Sequence, residues 1–347
     1  MKIMIDDSVW GFSKIFSHFG EVITLPGRQI SNESLKDCDA LIVRSRTRVN
    51  EGLLKNSKIK FVGSTVSGLD HIDQSYLEDN GIAFSSAQGC NANAVAEYVI
   101  SAIVNLSNDL NFKLFGKTLG VIGVGNVGRR LDFKAKQLGM KTLLNDPIRE
   151  SNEGSEHFVS LEKALGADIV TFHTPLSFSG LFPTHNLLDR HNFNHIKKDA
   201  IIINAARGGI INELIWEIIP TKANIIDCWE NEPNINPNLQ KSAYWATPHI
   251  AGHSIDAKFM GSFMIYQELC KFLKEPINDQ IENLVNPELR EIKEGNLHDT
   301  LNSIYPFIND DLAIKDVSNF EDYRRNYPKR FEWKHFKTQF ELPNSND

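Results

Sequence analysis

The stretch Leu119–Gly128, LGVIGVGNVG, joins a short apolar run to three glycines with the spacing G-x-G-x-x-G, namely Gly123, Gly125 and Gly128. The run predicts a strand, and the glycines predict a tight turn and the start of a helix. Gly123 permits the turn, Gly125 lets backbone amides approach a pyrophosphate, and Gly128 lets the helix pack closely on the strand. The N–H groups at the helix N-terminus favour phosphate. Glycine-rich turns also occur for structural reasons alone, so the prediction of a dinucleotide site depends on its context.

A second apolar run, Lys141 to Leu144, leads to Asp146, which lies 18 residues beyond Gly128. A carboxylate near this offset accepts hydrogen bonds from the adenosine ribose of a dinucleotide, and its charge repels a 2′-phosphate. NAD is therefore predicted in preference to NADP, although the cation Arg149 keeps NADP open. The structural alternative is an aspartate that caps a local turn.

Composition narrows the class of protein. The chain has 347 residues, enough for two domains or two and an appendage, and its 41% hydrophobic and 23% charged residues are typical of a globular protein. The net charge of −7 argues against a nucleic-acid partner or an anionic membrane. Four scattered cysteines without a C-x-x-C pair predict neither a metal site nor a disulfide framework. Because the start MKIMIDDSVW lacks the apolar core of a signal peptide, a cytoplasmic protein is expected.

Short apolar runs alternate with stretches of helical length along most of the chain, which predicts parallel sheets covered by helices. The first five runs are Lys2 to Ile5, Glu21 to Thr24, Ala40 to Val43, Lys60 to Gly63 and Ile82 to Phe84. After an apolar helix predicted at Asn91 to Leu106, six more follow at Leu119 to Gly123, Lys141 to Leu144, Asp168 to Phe172, Ala200 to Asn204, Asn224 to Asp227 and Tyr244 to Ala246. Six strands with a glycine loop after the first predict the doubly wound dinucleotide fold.

The predicted fold class is therefore α/β, with a Rossmann cofactor domain, a second flavodoxin-like α/β substrate domain and a small C-terminal module. A helix predicted at Asp256 to Leu273 would return to the first domain. The predicted boundaries are 1–92 plus 256–280 for the substrate domain, 93–255 for the NAD-binding domain and 281–347 for the module.

The C-terminal module is rich in aromatic residues, as in FEDYRRNYPKRFEWKHF from Phe320 to Phe336. Interleaved cations and aromatics could stack on nucleic acid, but the acidic total favours a small packing or subunit-contact module. Aromatic residues between Phe307 and Phe340 are hard to bury in so small a module, which predicts a homodimer through this region.

Three further loops follow strands of the second sheet, where α/β folds bind their ligands. The first is TFHTPL from Thr171, with Thr174 as a cofactor contact. The second is NAARGG from Asn204, in which Arg207 offers a planar guanidinium to a carboxylate. The third is the pair DCWENEP and TPHIAG, which supplies Asp227, Glu232 and His249. Oxidation of an alcohol needs a group that takes the hydroxyl proton, and a histidine supported by an upstream acid suits that task. The structural alternatives are a surface arginine and an ordinary loop histidine.

GVGNVGRR, TFHTPL, NAARGG, DCWENEP and TPHIAG, in this order, resemble the D-isomer-specific 2-hydroxyacid dehydrogenases. The resemblance implies an NAD-dependent enzyme in which Arg207 binds and polarises the 2-oxo acid end, His249 exchanges the proton and Glu232 partners the histidine. The implied cofactor contacts are Gly123, Gly125, Asn126, Val127, Gly128, Asp146, Thr174, Ala205, Ala206, Arg207, Asp227 and Gly252. The implied substrate contacts are Ser45, Thr65 and His253.

Further stretches are similar to a group within that family that acts on a phosphorylated 2-hydroxy acid: PGR, ALIVRSRTRVNEGLL, KFVGSTVSGLDHID, SSAQGCNANAVAEYV and LLNDPIR. The similarity is strong to about residue 275 and thin through YRRNYPKRFEW, in a C-terminal region that is a dimerisation domain in better-known members. Two positions depart from the group, because His253 stands where tyrosine is common and Val66 where a hydroxyl is usual. The alternatives are another 2-hydroxyacid dehydrogenase, such as one for 3-phosphoglycerate, and a non-catalytic NAD(H)-sensing corepressor.

The substrate phosphate has candidate partners after the third predicted strand, in the run VRSRTR. Arg44 and Arg46 would share one side of an extended chain and Ser45 the other. With Arg48 and the Ser64–Thr65 pair they would face Arg207 and His249 across a cleft between domains. The structural alternative is a set of solvated arginines at the edge of the sheet.

Overall fold

Both large sheets contain parallel strands only, as the alternation of apolar and helical stretches predicts. The computed structural model describes residues 1–285, 289–293, 295–339 and 342–343. By the density of contacts, the chain divides into two units, Met1–Asn91 with Ser254–Glu288 and Ala92–His253 with Leu289–Asp347. The domain boundaries expected from the sequence stay predictions. Within the predicted module, residues 286–288, 294, 340–341 and 344–347 lie outside the described residues.

The described strands are β1 Lys2–Asp6, β2 Glu21–Leu25, β3 Ala40–Val43, β4 Phe61–Ser64, β5 Ala83–Ser86, β6 Thr118–Ile122, β7 Lys141–Asn145, β8 Ile169–Phe172, β9 Ile201–Asn204, β10 Ala223–Ile226, β11 Trp245–Ala246, β12 Arg290–Ile292 and β13 Phe336–Thr338. The described α-helices are α1 Phe12–Ile15, α2 Asn32–Leu35, α3 Glu51–Leu54, α4 Gln74–Asp79, α5 Ala92–Asp109, α6 Asn126–Gln137, α7 Pro147–Glu153, α8 Leu161–Leu165, α9 Glu213–Ile218, α10 Pro237–Ser242, α11 Ile255–Leu273, α12 Leu297–Ile304, α13 Ile308–Ala313 and α14 Phe320–Arg325. None of these helices is long and apolar enough to cross a membrane.

The first unit contains a five-stranded sheet with the order β2-β1-β3-β4-β5. This is the flavodoxin-like order, so the predicted class of the unit is confirmed. Helix α11 packs against β4 and β5. The packing is close enough to need a glycine in the sheet, because a Cβ at Gly63 would lie 2.3 Å from Cγ2 of Ile265.

The second unit contains a six-stranded sheet with the order β7-β6-β8-β9-β10-β11. Its strands fall on the predicted apolar runs, and the Rossmann class is confirmed. In the usual order a further strand lies outside β7. Here that place is taken by the irregular segment at Val159, whose N–H donates to Leu144 O at 2.8 Å and whose carbonyl accepts from Asn145 Nδ2 at 2.8 Å. The strand order reverses between β6 and β8, the position where such sheets bind nucleotides.

Three of the C-terminal aromatics, which were expected to be hard to bury within so small a module, are buried in the cores of the second unit instead. Phe307, Phe320 and Trp333 are 0%, 1% and 1% exposed. They belong to the two hydrophobic cores of the dinucleotide-binding unit, since the segment packs on that unit instead of forming its own core. The argument for a homodimer from unburied aromatics is therefore wrong, but the homodimer itself stays a prediction. Phe340 lies outside the described residues.

Candidate active site

The three glycines of the β6–α6 loop each have a separate role. Gly123 has a φ of +87°, and a Cβ there would lie 2.8 Å from Cγ2 of Thr174. A Cβ at Gly128 would lie 2.2 Å from the carbonyl oxygen of Gly123, so the helix packs directly on the turn. A Cβ at Gly125 would meet nothing within 4 Å. The loop is therefore closed where it packs and open at the position where a pyrophosphate would approach.

Two buried polar atoms after β8 support a ligand at this loop. Within the part of the chain that the structure describes, Thr174 Oγ1 and His173 Nδ1 have no hydrogen-bond partner. Burial lowers the pKa of His173 to about 3, so its ring is neutral, and its Nε2 pairs with Thr171 Oγ1 at 2.9 Å. A buried hydroxyl without a partner costs free energy unless a ligand satisfies it. Thr174 and the open face of Gly125 therefore fit a bound dinucleotide.

Asp146 caps α7, as the structural alternative expected. One of its oxygens accepts from Arg149 N at 3.0 Å and the other from Val124 N at 2.9 Å. A carboxylate has about four acceptor sites, so these bonds leave room for a ribose diol. The Arg149 guanidinium is bound to Glu153 at 2.6 and 2.7 Å and to Val124 O at 2.7 Å. The cation that kept NADP open is thus paired with a carboxylate.

His249 and Glu232 form a hydrogen-bonded pair. His249 Nδ1 lies 2.8 and 3.0 Å from the two Glu232 oxygens, and Trp229 N donates to one of them at 3.0 Å. An ionised carboxylate only accepts hydrogen bonds, so Nδ1 carries a proton and Nε2 of the neutral ring is left to accept one. His249 has a φ of +55°, a left-handed conformation that is uncommon for residues other than glycine, although histidine adopts it more often than most.

Burial would raise the pKa of Glu232, but the charge that His249 carries when protonated, its hydrogen bond, the cation Arg324 and the Trp229 amide together hold that pKa below its ordinary value. Arg324 Nη1 lies 3.7 Å from Glu232 Oε2. The carboxylate is therefore ionised beside the imidazole.

The buried Asp227 carboxylate holds the loop that carries His249 through hydrogen bonds. It is 0% exposed and accepts from Thr247 Oγ1 at 2.7 Å, Ile250 N at 2.8 Å and Ala251 N at 3.1 Å. Thr247 Oγ1 also pairs with the Tyr98 hydroxyl at 2.6 Å. The structure gives Asp227 a supporting role in this loop, and its contact with the cofactor stays a prediction.

The Arg207 loop packs against the segment that carries Glu232. A Cβ at Gly208 would lie 2.0 Å from Trp229 O. Asn204 holds the turn, because its amide donates to Arg207 O at 2.9 Å and accepts from Ala206 N at 3.2 Å. Arg207 is half-buried and donates from Nη1 to Ala206 O at 2.7 Å, while Ala205 and Ala206 are buried.

The Cys228 sulphur completes a close cluster with the pair. It, a Glu232 oxygen and a His249 nitrogen all lie within 4.8 Å of one another. The hydrogen bond between His249 and Glu232 explains why these atoms lie so close together. That the site binds no metal stays a prediction. Burial raises the pKa of Cys228, so its thiol is neutral.

The predicted substrate contacts are divided between the two units. In the first unit, Ser45 is exposed after β3, whereas Thr65 is buried and its hydroxyl donates to Val43 O at 3.3 Å. Strand β3 ends at Val43, so the alternation expected for Arg44, Ser45 and Arg46 does not extend to them. In the second unit, the His253 ring lies edge-on to that of Tyr327, and Gly252 is half-buried.

Sequence reasoning missed two groups of residues at this site. Asn204 and Tyr98 position loops through hydrogen bonds between separate segments. Arg324 lies in YRRNYPKRFEW, a stretch whose resemblance was noted without a chemical role. Apart from that resemblance, the alternation of arginines and aromatics is the signal in the sequence that could point to this stretch.

Comparison with known proteins gives the class. Residues 95–251 match the model of the D-isomer specific 2-hydroxyacid dehydrogenase, NAD binding domain. Among solved structures, NAD-bound 3-phosphoglycerate dehydrogenase from Entamoeba histolytica is 25% identical with a TM-score of 0.67, covering 79% of this chain and 95% of that one. The chain belongs to the D-isomer-specific 2-hydroxyacid dehydrogenase family and is an NAD-dependent enzyme.

Two curated relatives narrow the group. The erythronate-4-phosphate dehydrogenase of Ruthia magnifica is 59% identical over 343 residues, which are 99% of each chain. That of Hydrogenovibrio crunogenus is 48% identical over 95% of this chain and 92% of its own. The group that the further sequence stretches resemble is thus erythronate-4-phosphate dehydrogenase. The predicted similarity to this group is confirmed.

Proposed function

We propose that this chain oxidises the 2-hydroxyl of 4-phospho-D-erythronate to (R)-3-hydroxy-2-oxo-4-phosphooxybutanoate, a step of pyridoxal 5′-phosphate (vitamin B6) biosynthesis. Identities of 59% and 48% over nearly the full length of enzymes named for that substrate support the choice of acid. The observation that carries the reaction type is the His249–Glu232 hydrogen bond, which prepares a ring nitrogen to accept a proton.

NAD, held by the residues named below, would supply the acceptor for the hydride that leaves C2 of the substrate. His249 Nε2 takes the proton of the 2-hydroxyl, so the alcohol becomes a carbonyl and the imidazole becomes an imidazolium. The Glu232 carboxylate stabilises that cation through Nδ1. Arg207 binds the substrate carboxylate with its planar guanidinium. In the reverse direction the imidazolium returns the proton to the oxygen.

The residues proposed to hold the cofactor surround the switch point of the second sheet. The glycine loop and the N-terminus of α6 would meet the pyrophosphate through backbone N–H groups. Asp146 would accept from the adenosine ribose, and Thr174 Oγ1, which has no hydrogen-bond partner among the described residues, would gain one. The remaining proposed contacts are Asn126, Val127, Ala205, Ala206, Arg207, Asp227 and Gly252.

Ser45 and Thr65 are proposed to bind the phosphorylated substrate, with Arg44, Arg46 and Arg48 as candidate partners for its phosphate. His253 is a third proposed substrate contact. Charge-assisted hydrogen bonds contribute about 1.5–3 kcal/mol each. We expect Ser45→Ala to raise KM for the phosphorylated acid and to change turnover of unphosphorylated erythronate little.

A substrate panel tests the proposal. NADH formation is measured with 4-phospho-D-erythronate, 3-phosphoglycerate and unphosphorylated erythronate at matched concentrations. We expect the highest kcat/KM with the first. A preference for 3-phosphoglycerate would assign the chain to another dehydrogenase of the family, and no turnover with any acid would contradict the assignment.

A homodimer and a cytoplasmic location complete the proposal. Ile308 and Leu312, four residues apart on α13, are 46% and 58% exposed, and Leu289 is 69% exposed. Exposed apolar side chains on one helix face often meet a partner. All four cysteines are free thiols, as is usual in a reducing compartment.

A further inference from the structure

The C-terminal segment places a cation at the proposed proton-transfer pair. Arg324, the fifth residue of α14, has Nη1 3.7 Å from Glu232 Oε2, the same oxygen that lies 2.8 Å from His249 Nδ1. The side chains of Arg324 and Glu232 are only 20% and 18% exposed. At 3.7 Å the contact is an ion pair without a hydrogen bond, so its effect on the carboxylate is electrostatic.

Several buried hydrogen bonds hold this part of the segment in place. Tyr323 and Tyr327, on either side of Arg324, donate to opposite oxygens of Asp310 at 2.7 and 2.8 Å. Asp310 is 3% exposed and accepts a third bond from Tyr305 at 2.5 Å. The buried Arg330 donates to Ala251 O, two residues beyond His249. The segment is therefore fixed to the loop that carries the proposed base.

The charges around the pair determine what Arg324 can do. Within the second unit, Glu232 faces His249, Arg324 and the neutral Cys228 thiol, and His249 faces Glu232 and Asp227. Burial raises the pKa of Cys228, and the charges of Arg207 and Arg324 both oppose that rise, so both guanidinium groups exert an electrostatic effect on this thiol. The mechanism above uses Arg207 but leaves Arg324 without a role.

We propose that Arg324 is a positioning residue of the reaction, which acts through Glu232 and limits how strongly that carboxylate stabilises the His249 imidazolium. The inference rests on the proposed function, because it assumes that His249 exchanges the substrate proton. Arg324 offsets part of the Glu232 charge, so the ring can release its proton between turnovers. Without Arg324, the carboxylate would favour the imidazolium more strongly, and a higher pH would be needed to free Nε2.

The variant Arg324→Gln tests this role, with Arg325→Gln as the matched control. Arg325 is the next residue of the same helix and is exposed, so the control removes the same charge away from the site. For Arg324→Gln, we expect the acid limb of kcat/KM for oxidation to move up by roughly 0.5–1 pH unit, an effect of the size that nearby charges produce. Arg325→Gln should leave the profile in place, and Arg324→Lys should restore most of it.

Two other results would overturn the inference. One is a uniform fall in kcat/KM at all pH values without a shift of the limb, which indicates a structural effect. The other is a rise in KM alone, which indicates that Arg324 binds substrate. Titration of the His249 ring by NMR, assigned with a His249 variant, needs no substrate. An unchanged titration in Arg324→Gln would refute the role of Arg324 even if the wild type oxidised none of the acids, whereas inactivity of the wild type alone would refute only the proposed function.

Discussion

Among single residues, His249 is the proposed base, and its backbone is left-handed with a φ of +55°. Asparagine tolerates that conformation better than alanine does, so His249→Asn removes the base with the least backbone strain. We expect kcat to fall by roughly 10²–10⁴, as for other general bases, with NAD affinity unchanged. Steady-state kinetics and cofactor titration measure the two effects. A fully active variant would exclude His249 as the base.

Glu232 is expected to influence the pH dependence of the proposed reaction. Its pKa is depressed despite burial, because the His249 charge and hydrogen bond favour the carboxylate. In Glu232→Gln the imidazolium loses that partner, so Nε2 becomes free at a lower pH and the acid limb of kcat/KM should move down while kcat falls. The shift is opposite in sign to that expected for Arg324→Gln. An upward shift in the pH profile of Glu232→Gln would contradict the assigned pairing.

Asp146 combines a predicted role in cofactor choice with an observed role as the cap of α7. Asp146→Ser keeps a capping oxygen but removes the charge that repels a 2′-phosphate. We expect NAD to bind much better than NADP in the unmutated protein, and the variant to narrow that difference with little loss of thermal stability. Calorimetric titration of both cofactors measures it. Equal affinities in the unmutated protein would remove the assignment.

At the scale of elements, the β6–α6 turn separates binding from packing. Gly125 has open space beside it and a φ of −75°, whereas a Cβ at Gly128 would lie 2.2 Å from Gly123 O. Gly125→Ala should therefore fold normally and lose at least about tenfold in NAD affinity, or 1.4 kcal/mol. Gly128→Ala should lower the free energy of unfolding by about 1–3 kcal/mol, as overpacked cores do. Thermal melts and NAD titrations of both variants are the measurement, and reversed effects would reject these roles.

At the scale of the whole molecule, burial of the C-terminal aromatics changes the case for assembly. The segment supports the His249 loop through Arg330, so it has a function within one chain. Exposed Leu289, Ile308 and Leu312 remain the basis for a homodimer. Light scattering at micromolar concentration should return twice the 39.2 kDa mass of one chain. A mass of one chain would reject the dimer, and Leu312→Lys should weaken it.

Much of the fold and part of the site follow from local sequence. A strand is specified by a few consecutive apolar residues, and a tight turn by glycines a few positions apart, so the eleven runs of the two large sheets and the β6–α6 loop could be predicted. His249 and Glu232 were predicted because each follows a strand of one parallel sheet, and the carboxyl ends of such strands meet at one edge.

Which distant segments contact each other depends on the tertiary structure and could not be predicted from the sequence. No spacing in the chain indicates that Arg324 reaches Glu232, that Asp227 lies behind the His249 loop, or that Phe307 and Trp333 enter the core of the dinucleotide-binding unit. Each of these depends on how elements far apart in sequence pack their apolar surfaces, a global balance of burial that a local pattern does not encode. Local sequence is thus enough to predict the strands, the glycine loop and the residues of the proposed proton-transfer pair, whereas packing determines which charge lies beside that pair.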